Sequence, residues 1–267
     1  MKILGISGLK GSGKNTLSNF LHGYQLRANN LIEDFSMDEG GKLHVTYEGG
    51  KSGLLDVERQ DPQFAIWASA GMWPYVKSYA FAHPLKEMCV NLFGIPRECL
   101  YGTDEQKNTV MKHLLWENMP GVITPEDIKG LEFDGKVLAQ YNLDDLGLIF
   151  HEPGPMTARQ FMQFLGTEVM RKMYAPLWTN RCLTQINDEE SALAIITDVR
   201  FDNEAEAILA ADGKVIQLTR GITGDGHDSE KGVSPHLVSS VLDNANLDLV
   251  DTCQNLLNII EGYGWQD

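Results

Sequence analysis

A short β-prone run, Lys2 to Ser7, passes through Gly8-Leu9-Lys10-Gly11-Ser12-Gly13 straight into a helical pattern with Leu17, Phe20 and Leu21 on one face. Strand, glycine-rich turn and helix in immediate succession leave few architectures open. The helix must carry the chain back along the sheet, so the next strand in the same sheet enters as a parallel neighbour. Later segments repeat the pattern. Ala192 to Ile196 is a continuous apolar run, the form taken by a strand covered on both faces, and it ends in Thr197-Asp198-Val199-Arg200. Asn203 is placed to cap an alanine-rich helix to Ala211 that Asp212-Gly213 closes, and Lys214 to Thr219 reads as another strand. Leu237 to Leu242 reads as the last strand and Leu247 to Ile260 as the last helix. The alternation predicts an α/β fold.

Between these elements, Val76 to Ala82 is expected as a second strand, followed by a helix from Pro84 through Leu85, Met88, Cys89, Leu92 and Phe93, with Gly94 as its stop. The apolar period returns at Thr157 through Phe161, Phe164, Leu165 and Val169 to near Tyr174, and Pro176 starts a further helix towards Ile186. Two stretches break the rhythm. In residues 27–74, Lys42 to Tyr47 alternates like a strand, Glu48-Gly49-Gly50-Lys51 reads as a turn and Leu54 to Val57 as the returning strand, which predicts a hairpin insertion. Residues 105–152 are charged, interrupted by Pro120, Gly121, Pro125, Gly130 and Gly135, and resemble an inserted lid. The expected organisation is one domain over residues 1–267 with these two insertions.

Charge restricts the partners. The formal net charge is −15, whereas proteins that wrap DNA or RNA gain affinity by neutralising phosphates with Lys and Arg. No polymeric nucleic acid is therefore expected, and any nucleotide bound is small. Cys89, Cys99, Cys182 and Cys253 are scattered without a Cys-x-x-Cys pair, which suits a reducing compartment. No apolar stretch approaches the length of about 20 residues needed to span a bilayer, so no membrane partner is expected.

Gly8-x4-Gly13-Lys14 has the spacing at which successive backbone N–H groups turn inward on an anion, with a helix N-terminus adding partial positive charge and Lys14 a full one. Gly11, Ser12, Gly13, Lys14, Asn15 and Thr16 are thus the candidate ATP-phosphate ligands. The residue after the lysine is Asn15, and the hydroxyl comes one place later at Thr16. A magnesium ion would lean on phosphate oxygens and water, so no protein metal-ligand set is expected.

Gly8 to Thr16, Ala82-His83-Pro84-Leu85-Lys86, Arg159 with Gln163-Phe164-Leu165-Gly166-Thr167-Glu168, Trp178, and Thr197-Asp198-Val199-Arg200 with Asn203-Glu204-Ala205 together resemble the bacteriophage deoxynucleoside monophosphate kinases, in the same order along the chain. The resemblance implies a P-loop NTPase-type parallel sheet flanked by helices. By the same resemblance, Lys10, Leu85, Lys86 and Trp178 face the acceptor, Arg159 and Gln163 hold it, and Gly166-Thr167 lets base or sugar approach the backbone. Lys107 corresponds to a family arginine and is carried over as an acceptor-phosphate ligand. Asp198, delivered to the carboxyl edge of the sheet, orders magnesium through water or binds the acceptor's sugar; Arg200 neutralises charge on the transferred group or pairs with a neighbouring carboxylate. His227-x-Ser229-Glu230 also matches a family pattern, and equally a loop histidine beside a helix cap.

The expected activity is ATP- and Mg2+-dependent phosphorylation of deoxynucleoside 5′-monophosphates, with Lys14, Arg159, Asp198 and Arg200 in the catalytic group. The resemblance further suggests a homodimer in the cytoplasm of an infected bacterium. Two rival readings stand beside it: another small-molecule kinase of this fold, such as a dephospho-coenzyme A kinase, and a nucleotide-binding protein without turnover.

Overall fold

The computed structural model describes residues 1–59, 61–129, 147–221 and 232–265. His227, Ser229, Glu230, Gly130 and Gly135, and with them the polar loop expected around Gly224 to Ser229, lie outside the described residues. In chain order the strands are β1 (Lys2–Ser7), β2 (Asp34–Met37), β3 (Leu43–Tyr47), β4 (Lys51–Leu54), β5 (Val76–Tyr79), β6 (Val110–Leu115), β7 (Val122–Ile123), β8 (Ile149–Phe150), β9 (Pro155–Thr157), β10 (Leu193–Val199), β11 (Lys214–Leu218) and β12 (Ser240–Leu242). The chain divides into two compact units, one formed by Met1–His83 with Trp178–Asp267 and the other by Pro84–Leu177.

The first unit is built on a parallel sheet in the order β12-β11-β1-β10-β5. Its central strand pairs Leu4 with Ile195 on one side and Ile6 with Ile216 on the other. Alternation sends Leu4 and Ile6 to the face where Leu17, Leu21 and Leu26 of α1 (Lys14–Ala28) complete a common core. The opposite face is covered by the helix Asp202–Ala210, which packs on β11 and β1. An α/β fold with helices on a parallel sheet and added strand and helix insertions is therefore what the chain adopts. Between Gly5 and Ser7 the pairing register with β10 shifts, because Gly5 lies opposite Ile196 and Ser7 opposite Val199. One additional β10 residue is accommodated there, and this irregularity delivers Thr197 and Asp198 to the carboxyl edge.

The first insertion holds more than a hairpin. β2, β3 and β4 form an antiparallel sheet, and α2 (Pro62–Gly71) follows, with Asp61 accepting from Phe64 N at 3.1 Å and Pro62 in the first turn. The return strand begins at Lys51, opposite Tyr47, because the turn takes only Glu48 to Gly50. Two further boundaries differ from expectation. Asn203 lies within its helix, and the segment that enters the helix is held by the buried carboxylate of Glu204, which accepts from Arg200 N and Phe201 N at 2.8 and 3.1 Å. Pro235 favours a 3-10 turn through Leu237, so the last strand is confined to Ser240–Leu242.

The second unit continues α3 (His83–Phe93) into short elements whose strands pair β6 with β9 and β7 with β8. Thr157 and Gln160 form a reciprocal capping box, which starts the helix Ala158–Gln163; the turns then widen to a π-helix over Phe164–Arg171. Phe161 meets Phe93 edge-on at 4.7 Å, and Trp116 stacks on His151 at 3.9 Å.

His22 lies wholly within the core of the first unit, on α1, with Nδ1 donating to Ser18 O at 2.8 Å and Nε2 lacking a partner among the described residues. Burial lowers its pKa to about 4 from 6.5, against the smaller opposing effect of the Ser18 hydrogen bond. The unfolded chain therefore binds a proton between those values that the native chain does not, and stability falls as pH drops from 6.5 through 4. His22→Leu removes this contribution. Relative to the variant, the wild type is expected to lose roughly 3 kcal/mol of unfolding free energy between pH 7 and pH 4 in urea titrations, and curves that stay parallel would contradict the assignment.

Candidate functional site

At the carboxyl edge of β1 the chain turns through Gly8, Gly11 and Gly13, with φ of 149°, 73° and 98°, into α1. Side chains are strained in that region of φ, which is why small residues recur here. Ser12 N donates to Leu9 O at 3.2 Å, and the first helical bond, Leu17 N to Gly13 O, is 3.0 Å long. The N–H groups of Lys14, Asn15 and Thr16 precede that bond, and Gly13 supplies no side-chain cap. Lys14 Nζ folds over the turn, donating to Gly8 O at 2.6 Å, Leu9 O at 2.8 Å and Ser12 Oγ at 3.3 Å. The result is a concave set of backbone donors with an ammonium at its lip, a form that suits phosphate oxygens.

The insertion braces this turn from outside. Asn15 Nδ2 donates to Glu58 Oε1 at 3.0 Å, and Asn19 Nδ2 donates to Gly41 O at 2.9 Å. A Cβ at Gly41 would stand 2.3 Å from Thr16 Oγ1, so only glycine admits the Thr16 side chain at this point.

Asp198 is half-buried, and both its oxygens accept backbone donors: Phe81 N at 2.7 Å and Ala82 N at 3.0 Å. The carboxylate thus clamps the segment leaving β5 to the end of β10 and retains lone pairs for water. Burial, with smaller contributions from the Asp198 and Glu204 charges, pushes the nearby Cys182 thiol well above its ordinary range, so it stays neutral. Arg200 is exposed; its backbone N, and not its guanidinium, is bonded to Glu204. Trp178 is buried in the first unit at 4% exposure, and Lys10 is exposed on the turn.

Leu85, Lys86, Lys107, Arg159, Gln163, Gly166 and Thr167 belong to the second unit. Leu85 packs directly on Gly166, where a Cβ would come within 2.5 Å of its Cδ2. Lys86 Nζ lies 4.5 Å from the Tyr101 ring centroid, whose hydroxyl donates to Glu87 at 2.7 Å. Arg159 Nη2 bonds Asp104 Oδ1 at 2.6 Å, and Asp104 begins the single turn Asp104–Lys107. Gln163 and Thr167 are partly buried. The first unit thus collects the glycine-rich turn, Asp198, Arg200 and Trp178, and the second collects the remaining candidates.

Two residues at the turn were not singled out from the sequence. Asn244, 1% exposed, donates from Nδ2 to Ser12 O at 2.8 Å and accepts from Arg220 N at 3.0 Å. Both follow the carboxyl ends of parallel strands, and that position is the signal that could have found them. Among the described residues no group of three or more His, Cys, Asp or Glu side chains could hold a metal. The Thr16 hydroxyl and, through water, Asp198 are oxygen groups of this unit that could hold a magnesium ion carried in by phosphate oxygens. No helix among the described residues is long and apolar enough to cross a membrane.

A family model described as deoxynucleotide monophosphate kinase matches residues 142–252. A protein of Acanthamoeba polyphaga mimivirus named "Putative deoxynucleotide monophosphate kinase" is 28% identical over 165 residues, 57% of this chain. Over these residues the chain is similar to nucleoside-monophosphate-kinase-like proteins. The matched region covers 65% of the mimivirus protein's length. The family match holds Arg159, Trp178, Asp198 and Arg200 but starts beyond the glycine-rich turn, so the phosphate-binding assignment of Gly8 to Thr16 stands on that turn's own geometry. Some small-molecule kinase activity, with nucleotide use, is consistent with this similarity.

The Asp198 clamp is testable. In Asp198→Asn one of the two backbone donors would face an amide N–H instead of an oxygen, an uncompensated donor costing about 1–3 kcal/mol. Urea unfolding of D198N is expected to show a loss of that size, and an unchanged midpoint and slope would refute the clamp.

Proposed function

We propose that this protein transfers the γ-phosphoryl group of ATP to deoxynucleoside 5′-monophosphates, yielding ADP and the deoxynucleoside diphosphates used as DNA precursors. The observation that carries the reading is the turn of backbone donors closed over by Lys14 at the carboxyl edge of a parallel sheet. Similarity to a deoxynucleotide monophosphate kinase family model over residues 142–252 and to the mimivirus protein supports the acceptor class, and the net charge of −15 argues against a polymer.

An oxygen of the acceptor's phosphate attacks the γ-phosphorus, the bond to the β–γ bridging oxygen breaks, and ADP departs with that electron pair. The nucleophile is already anionic near neutral pH, so no general base is required. The protein's task is to bring two repelling phosphates into line and to spread charge in the transition state. Lys14 exchanges the carbonyls of Gly8 and Leu9 for phosphate oxygens of the donor, while the amides of Gly11 to Thr16 hold the remainder. By the sequence resemblance, Lys86, Lys107 and Arg159 of the second unit are assigned to the acceptor phosphate, with Asp104 orienting the Arg159 guanidinium through their 2.6 Å bond, and Leu85, Gln163, Gly166 and Thr167 of that unit to the nucleoside. In the first unit the same resemblance assigns Lys10 and Trp178 to the acceptor and Arg200 to charge on the transferred group. Magnesium, when bound, neutralises the donor phosphates, and Thr16 and water-borne Asp198 are the groups that would hold it.

A coupled ADP-release assay with ATP, magnesium and each of the four deoxynucleoside monophosphates tests this, run beside the ribonucleotides, dephospho-coenzyme A and a no-acceptor control. Release that depends on deoxynucleotides is expected. Release only with another acceptor would transfer the protein to a sister kinase, and silence despite ATP binding would leave a nucleotide binder without turnover. Lys14→Ala should lower turnover by about 100-fold or more while its thermal midpoint stays near wild type, since removing one preorganised donor to transition-state charge has effects of that order.

A further inference from the structure

β11 ends beside the glycine-rich turn and follows it closely. A Cβ at Gly8 would lie 3.0 Å from Leu218 Cβ, and one at Gly221 would lie 2.5 Å from Leu9 Cβ and 3.2 Å from Lys10 O. Between these two contacts stands Arg220. Its Nη2 is 3.0 Å from the position a Gly13 Cβ would occupy, at the N-terminus of α1. Its backbone is fixed there, because Arg220 N donates to Asn244 Oδ1 at 3.0 Å and Asn244 Nδ2 donates to Ser12 O at 2.8 Å. Thr219 extends the tie: its hydroxyl donates to Asp243 at 2.6 Å and accepts from Asn244 N at 3.2 Å. Among the described residues no carboxylate pairs with the Arg220 guanidinium, which is exposed in a chain of net charge −15.

We propose that Arg220 is a second donor-phosphate ligand of the loop, with Asn244 as its positioning residue. The inference rests on the reading of Gly8 to Thr16 as the ATP-phosphate site and adds a cation supplied by a different strand. Phosphate oxygens held by the amides at the start of α1 come within reach of a guanidinium placed against Gly13, and its planar fork matches two such oxygens at once. Lys14 and Arg220 then approach the polyphosphate from separate points on the turn. Asn244 acts without touching ligand, since one buried amide fastens both the loop carbonyl at Ser12 and the backbone that carries Arg220.

Equilibrium binding of ATP and of adenosine to the full chain, by calorimetry, tests this with wild type, Arg220→Ala, Arg220→Lys and Lys14→Ala. Loss of a charge-assisted hydrogen bond predicts that R220A raises the ATP Kd about tenfold or more. R220K, which keeps the charge and loses the fork, is expected between the two. Adenosine affinity and thermal midpoint should stay near wild type in both, a pattern that general damage to the fold would not give. ATP affinity within about twofold of wild type in R220A, with K14A clearly weakened, would overturn the Arg220 assignment and leave the loop reading intact. Equal losses for ATP and adenosine would overturn it too, since the contact would then not be to phosphate. A wild-type chain that binds no ATP would overturn both readings.

Discussion

Burial of β1 on both faces is the constraint from which the rest of the first unit follows. Leu4 and Ile6 face the core shared with α1, and the helix Asp202–Ala210 closes the other side, so the chain can leave the strand only at its carboxyl edge. Every neighbouring strand in that sheet is parallel and opens at the same edge. The glycine-rich turn, Asp198 and Arg220 are therefore gathered by topology before any of them makes a specific contact. The carboxyl edge of such a sheet is where a small anionic ligand would find these groups together.

Charge sets the second condition. With a net charge of −15, the molecule as a whole opposes the approach of an anion, so an anionic ligand would have to be met by local cations. The candidates for that role are Lys14, Lys10, Arg200 and Arg220 in the first unit and Lys86, Lys107 and Arg159 in the second. Arg159 is held in an ion pair with Asp104, and Lys86 rests on Tyr101. These neighbours fix the orientation of long side chains whose freedom would otherwise oppose binding.

The parallel core was legible because its signals are local: a continuous apolar run at Ala192 to Ile196, a helix period after Gly13, and Asp212-Gly213 as a stop. The glycine-rich turn was legible for the same reason, as spacing within one short segment. What escaped was non-local. Asn203 has the chemistry of a cap but lies inside the helix, and the buried Glu204 carboxylate instead holds the two residues that precede it through Arg200 N and Phe201 N. The π-helical turns at Phe164–Arg171 leave the apolar spacing almost unchanged, so the period alone reads as α-helix. Arg220 and Asn244 belong to separate strands, and only the sheet order brings them to Ser12 and Gly13. α2 was announced by Asp61-Pro62, yet its exposed Ile66 and Trp67 blur the amphipathic pattern that would have declared it.

The Asn15 to Glu58 bond gives the residue after the loop lysine an architectural occupation. That place in a phosphate loop ordinarily carries the hydroxyl directed at the metal; here it is a hook for the inserted segment, and the hydroxyl has moved on to Thr16, itself seated against Gly41. Loop and insertion are thereby joined side chain to side chain, so a substitution at residue 15 that cannot donate to Glu58 would undo one of the ties between them.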